Sequence, residues 1–206
     1  EYAVALEALQ DNCPAVNFSE IRKIIESSLG KNINEVFETI DETPIASGSI
    51  SQVHKAVLKI QTNSHNNKNK KTVAVKVLKP NIRYEMFRDI KLMKLIVSYI
   101  EQHEKFKKYK LSRIIQEFEE WTAAELDLTI EAYNAGIIKK NSVKSKTLYI
   151  PEVIFSKEQL LVYEYVEGKS YTHYGANNPD EFKKHLVNVL ELKDLYRKST
   201  RLNSSH

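Results

Sequence analysis

Apolar residues recur along this chain with two spacings, and each change of spacing marks an element boundary. Residues 3–10 carry a helical pattern that runs into Leu9-Gln10-Asp11-Asn12-Cys13-Pro14, where the proline ends or kinks a helix. Ser19 is then placed to cap a second helix whose apolar face is Ile21, Ile24, Ile25 and Leu29, with Gly30 supplying the positive φ of a helix stop. From Val36 onward the spacing shifts to short β-branched runs at 37–45, 50–58 and 73–78. These predict three antiparallel strands, separated by a turn of small residues and by the polar insert 61–71. Two long helices are predicted next, over 82–106 and 111–140. Apolar runs at 149–155 and 160–166, the second closed by Glu167-Gly168, complete a five-stranded antiparallel sheet. Asn178-Pro179-Asp180 opens a last helix carrying Phe182, Leu186, Val189 and Leu190, since proline is tolerated in a first turn and aspartate is favoured there by the macrodipole. The predicted class is α+β, with a helical segment over 1–35, a lobe over 36–168 and the start of a further lobe over 169–196.

Composition narrows the function classes. With 42% hydrophobic and 28% charged residues the chain reads as globular rather than as a disordered tail. The net charge of +4 suggests nucleic acid at first sight, but Arg197, Lys198 and Arg201 carry three of those charges with no acid nearby, and the body is nearly neutral. Lys68, Lys70 and Lys71 lie in an Asn-rich stretch that reads as a solvated loop, so neither DNA nor RNA is expected as a partner. Cys13 is the only cysteine; it excludes an intrachain disulfide, favours an intracellular compartment and reads as a small core residue. None of the six histidines pairs at the close spacing of a helical metal site, so a structural metal is not expected. No apolar run approaches the roughly 20 residues that span a bilayer.

Both ends carry expectations of their own. Glu1-Tyr2-Ala3 has neither an initiator methionine nor a signal-peptide pattern, and reads as internal to a longer protein. Residues 197–206, Arg-Lys-Ser-Thr-Arg-Leu-Asn-Ser-Ser-His, do not continue the preceding apolar pattern. The codons CGG AAG AGC ACA CGT CTG AAC TCC AGT CAC, a widely used sequencing-adapter string, would encode that decapeptide. The segment therefore reads as adapter sequence translated in frame, the alternative being a polar tail.

Three features carry candidate chemistry. In Val73-Ala74-Val75-Lys76-Val77, period-two alternation puts the three valines on one face and presents Lys76 from the other, beside Ala74. A lysine held by a rigid strand suits contact with nucleotide phosphates, with a small neighbour leaving room for a base; a solvent-facing lysine on an edge strand has the same pattern. Upstream, Pro44-Ile45-Ala46-Ser47-Gly48-Ser49-Ile50-Ser51-Gln52-Val53 is a tight turn of small residues whose backbone N–H groups suit phosphate oxygens, and whose serines offer hydroxyl donors. An ordinary hairpin fits as well. On the helix over 111–140, Phe118, Trp121, Leu128, Ala132 and Ala135 fall on one stripe with Glu125 at its centre. A carboxylate on a core face needs a cation, and Lys76 is the candidate, unless Glu125 reaches water. Asp127 and Glu131 share a flank of the helix, one turn apart. The strand ending at Glu164 and Val166 is suited to offering backbone groups to a purine edge.

The order and spacing of these pieces resemble the UbiB/ADCK atypical kinases over residues 6–196. Leu9-Gln10-Asp11 with nearby Pro14 matches a family segment ahead of the kinase core, and 44–54 match its Pro-Ile-Ala-Ala-Ala-Ser-Ile-Ala-Gln-Val-His loop except at Ser47, Gly48 and Ser51. The family's Val-Ala-Val-Lys falls on Lys76, its E-x-D on Glu125 and Asp127, and its Glu-Ala-x-Asn on Glu131, Ala132 and Asn134. The resemblance implies a protein-kinase-like N-lobe that binds ATP with magnesium, with Ala46, Ser47, Gly48, Ser49, Ile50, Val53, Ala74, Lys76, Glu164 and Val166 around the nucleotide. It implies that Lys76 pairs with Glu131 while Glu125 and Asp127 shape the site; Glu85, on the first helix after the lysine strand, is where an ordinary protein kinase would keep that partner. It further implies a catalytic Asp, a metal-binding Asn and an Asp-Phe-Gly loop beyond Tyr196, so this stretch alone is expected not to turn over ATP. Membrane lipid or quinone-biosynthesis proteins are the implied partners, at an organelle or a bacterial membrane. A kinase-shaped binding or interaction module without phosphoryl transfer is the alternative.

Overall fold

A computed structural model describes residues 13–59, 71–142 and 148–168. The expected helices at 3–10 and from Asn178, and the decapeptide 197–206, lie outside these. The chain divides into two units, Glu1–Asn134 with Pro151–Tyr165 and Ala135–Ile150 with Val166–His206.

In the first unit α1 (Phe18–Leu29) buries Ile21 and Ile25 and stops at Gly30, whose φ of 64° is the left-handed conformation glycine adopts without strain. Its N-cap is Asn17 rather than Ser19: the Asn17 side chain accepts the Ser19 N–H, making Ser19 part of the first turn. A single-turn helix, α2 (Ile33–Val36), begins in a capping box between Asn32 and Glu35 and leads directly into the sheet.

The sheet comprises β1 (Phe37–Ile40), β2 (Ala46–Ser47), β3 (Ser51–Leu58), β4 (Thr72–Leu78), β5 (Val153–Lys157) and β6 (Leu160–Glu164). All pairings are antiparallel, the strand order is β1-β3-β4-β6-β5, and β2 pairs with β3. The expected strand over 37–45 ends at Ile40, and β2 forms just beyond that range, from the first residues of the small-residue turn, so the sheet has six strands rather than five. The expected strand over 160–166 ends at Glu164.

One face of β4, with Val73, Val75 and Val77, joins Leu160 and Val162 of β6 and Ile21 and Ile25 of α1 in the main core. The opposite face carries a smaller cluster of Leu78 and Leu161 with Leu128. Cys13, expected in the core, is only half-buried.

The two predicted long helices are four. The first splits into α3 (Ile82–Ile100) and the single turn α4 (Glu104–Lys107); the second splits into α5 (Leu111–Glu125) and α6 (Leu128–Asn141). The second break has a packing cause. Leu126 and Leu128 are both buried, but in one continuous helix residues two apart point ~200° away from each other. Breaking at Asp127 lets both turn inward. Asp127 then caps α6, its carboxylate accepting the Thr129 N–H at 2.9 Å and the Thr129 hydroxyl at 2.6 Å. From Ala135 onward α6 belongs to the second unit, whose other described residues are 142, 148–150 and 166–168.

Candidate nucleotide site

β4 is the centre of the site because it is the middle strand of the sheet. Directly opposite residues of antiparallel strands share a face, so Lys76 stands beside Val53 of β3 and Leu161 of β6, and Ala74 beside Lys55 and Tyr163. Alternation therefore places Lys76 and Ala74 away from the core valines. β4 is not an edge strand, which removes the edge-lysine reading of Lys76.

Lys76 Nζ donates to Glu131 Oε2 at 2.5 Å, across 55 residues of sequence. The cap at Asp127 starts α6 one turn before Glu131, and Leu128 N–H donates to Glu158 O at 2.9 Å, tying the same turn to the loop between β5 and β6. The lysine side chain is 23% exposed and the carboxylate 47%, so the pair is reachable from solvent. Tyr163 lies close enough to Glu131 to feel its charge; burial first, and that carboxylate second, push the phenol pKa up, so Tyr163 stays a neutral hydroxyl.

Glu125 is not the partner of Lys76. It ends α5 and is exposed, and the apolar stripe that placed it in the core does not exist, because the helix breaks and Trp121 is 61% exposed. Asp127 is occupied in capping α6. Glu85 is exposed in the first turn of α3.

The small-residue turn is a hairpin. Ala46 pairs with Val53 and Ser47 with Gln52, and Gly48 N–H closes the loop onto Ser51 O at 2.9 Å. Lys79 N–H donates to Ile50 O at 2.8 Å, fastening the loop to the end of β4. Ala46 and Val53 share the Lys76 face. Ser47 lies with Gln52 on the opposite face, where its hydroxyl is buried without a hydrogen-bond partner, so it is not a donor toward Lys76. Ser49 is exposed at the loop tip beside half-buried Ile50.

Glu164 closes β6. Its N–H donates to Glu152 O at 2.8 Å, and its register opposite Val73 turns the side chain away from Lys76. Val166, in the second unit, is 48% exposed.

Three residues of β3 make contacts around the site that were not apparent from the sequence pattern. Gln52 is buried and holds both backbone groups of Val16, accepting its N–H at 2.9 Å and donating to its carbonyl at 3.2 Å. His54, also buried, lies 2.9 Å from the Gln52 amide nitrogen and 2.8 Å from Asp41 O. Lys55 Nζ sits 4.5 Å from the centre of the Tyr165 ring. Apart from Gln52–His54, neighbours on one face of β3, these are long-range pairings that alternation alone cannot assign, although two buried polar residues on the core face of β3 are a signal that partners are waiting.

A family model for the ABC1 atypical kinase-like domain matches residues 8–199. The probable protein kinase UbiB of Xylella fastidiosa (strain M23) is 37% identical over 166 residues, which are 79% of this chain and 28% of that protein. Its counterpart in Shewanella sp. (strain W3-18-1) is 35% identical over 171 residues, 82% of this chain and 30% of that one. The chain thus spans about 30% of the length of these relatives. Among solved structures, the complex of Rv3197 with erythromycin from Mycobacterium tuberculosis superposes with a TM-score of 0.64 at 28% identity, covering 81% of this chain and 39% of that one. An antiparallel sheet with a central lysine strand, the matched family model and these relatives agree: the chain belongs to the ABC1 atypical kinase-like family, of UbiB type, and its described part has a protein-kinase-like N-lobe fold.

Proposed function

We propose that this region is the ATP-binding lobe of an atypical kinase or ATPase, in which Glu131 aims Lys76 at the nucleotide phosphates. The observation that carries this reading is the solvent-reachable Lys76–Glu131 pair on the face of β4 away from the main core. A pair this exposed contributes only about 0–1 kcal/mol to stability, so folding gives little reason to keep it. A lysine held in one orientation by a carboxylate is, by contrast, what phosphate positioning needs.

The neighbouring groups fit a nucleotide. Ala74 adds no bulk beside Lys76, and Ala46 and Val53 extend the same face toward the hairpin loop. Magnesium would neutralise charge on the phosphates. The described residues contain no group of three or more His, Cys, Asp or Glu side chains able to hold a metal, so its ligands are expected among the phosphates and other parts of the protein. Phosphoryl transfer, its acceptor and a role in ubiquinone or related lipid metabolism, which the relatives' UbiB name suggests, are proposals for the whole protein, as are lipid or quinone-biosynthesis partners and a membrane location. No helix among the described residues is long and apolar enough to cross a membrane.

The test is equilibrium binding of MgATP by titration calorimetry. Lys76→Met removes a charge-assisted contact worth about 1.5–3 kcal/mol, and should weaken binding roughly 10- to 100-fold. Glu131→Gln should weaken it less, because the lysine remains. Unchanged affinity in Lys76→Met contradicts the reading.

A further inference from the structure

Ala74, the small neighbour of Lys76 that leaves room for a base, is covered: the residue is only 3% exposed. Register shows what stands around it, with Tyr163 of β6 directly opposite on the same face. Lys55 of β3 is directly opposite Ala74, and Tyr165, just past β6, donates its N–H to Thr72 O at 3.3 Å, two residues before Ala74 on β4. Lys55 and Tyr165 therefore flank β4 from its two sides. Alternation from Tyr163 puts the Tyr165 ring on the Lys55 face. Their contact at 4.5 Å spans β4 between Thr72 and Ala74.

We infer that Lys55 and Tyr165 form a strap across the base shelf that must part for an adenine ring to reach Ala74, and that this pair sets how readily the site accepts a base. The inference rests on the nucleotide-binding reading. It adds two residues that the lysine strand and the hairpin loop do not contain. The energetics suit a strap rather than a wall: a cation–π contact between half-buried groups is broken at modest cost, and lysine and tyrosine both have rotamers that swing clear.

Lys55→Met and Tyr165→Leu keep apolar bulk and remove the contact. Each should tighten MgATP binding about two- to five-fold, and the double variant should gain no more than the better single one, because both remove one contact. The sign is discriminating for Lys55→Met, since loss of a positive charge near an anionic ligand would otherwise weaken binding. Adenosine, which lacks the phosphates, should show the same gain. Circular dichroism and thermal midpoints of each variant confirm that it is folded, and two independent variants guard against one failing to fold. If the unaltered chain binds MgATP, Lys76→Met loses it, and neither strap variant binds more tightly, the strap is wrong while the site stands; additive gains in the double variant overturn it too. If neither the unaltered chain nor any variant binds nucleotide, the site reading itself fails and the strap with it.

Discussion

Lys76 sits in a strand between Val75 and Val77, both fully buried, so its backbone is fixed by the core while its side chain reaches the opposite face. Alternation alone was enough to read this, because a period of two leaves no freedom about which face a strand residue takes. The partner was less legible. A helical stripe pointed to Glu125, and the family resemblance pointed to Glu131; the second is the residue in contact. The stripe failed because it assumed one continuous helix.

His54, the last residue of the 44–54 motif, is fully buried on the core face of β3. His54 donates from one ring nitrogen to Asp41 O and accepts at the other from the Gln52 amide, whose carbonyl oxygen accepts the Val16 N–H. This arrangement needs the neutral imidazole, since a protonated ring would aim N–H at N–H. Burial lowers its pKa below the ordinary 6.5, outweighing the Asp41 contacts that act the other way. In the unfolded chain the same group takes up a proton as pH falls below about 6.5. Stability is therefore fully present above that pH, and is lost as pH falls until folded His54 itself titrates. Nuclear magnetic resonance titration of the imidazole, with urea unfolding at matched pH, should show a depressed midpoint and a stability falling through that window; a midpoint at or above 6.5 contradicts the network.

At the scale of elements, capping and packing decide where helices end. Gly30 was readable as a stop because its chemistry is local. The end of α5 was not, because it depends on Leu126 and Leu128 both finding apolar neighbours, which alternation within the segment cannot reveal. Asp127 followed by Thr129 was the available local signal, a favoured N-cap residue inside an otherwise helical run. Because Asp127 anchors the turn that carries Glu131, its substitution should act on both stability and the site. Asp127→Ala should cost about 1 kcal/mol in chemical unfolding, within the usual range for an N-cap, and weaken MgATP binding by less than Lys76→Met does. A loss of binding as large as that of Lys76→Met, at unchanged stability, would instead give the Asp127 carboxylate a direct place at the nucleotide.

For the molecule as a whole, the antiparallel sheet and its lysine-bearing strand were legible from the sequence, while the interior position of that strand follows only from strand order, which places β4 between β3 and β6. That order matters for function, since only an interior strand lets one side chain be flanked by the hairpin loop on one side and the strand leading to Tyr165 on the other. The extra strand β2 escaped notice because two residues carry no readable period. Matches to UbiB relatives support the same fold. The central claim is that adenine nucleotide binds on the Lys76 face of this sheet. Backbone resonances of the isotope-labelled chain, followed during MgATP titration, test it most directly. The account predicts shifts centred on Ala46–Val53, Ala74, Lys76 and Tyr165, with α3 and α5 unaffected; shifts confined to those helices, or none at saturating nucleotide, would contradict it.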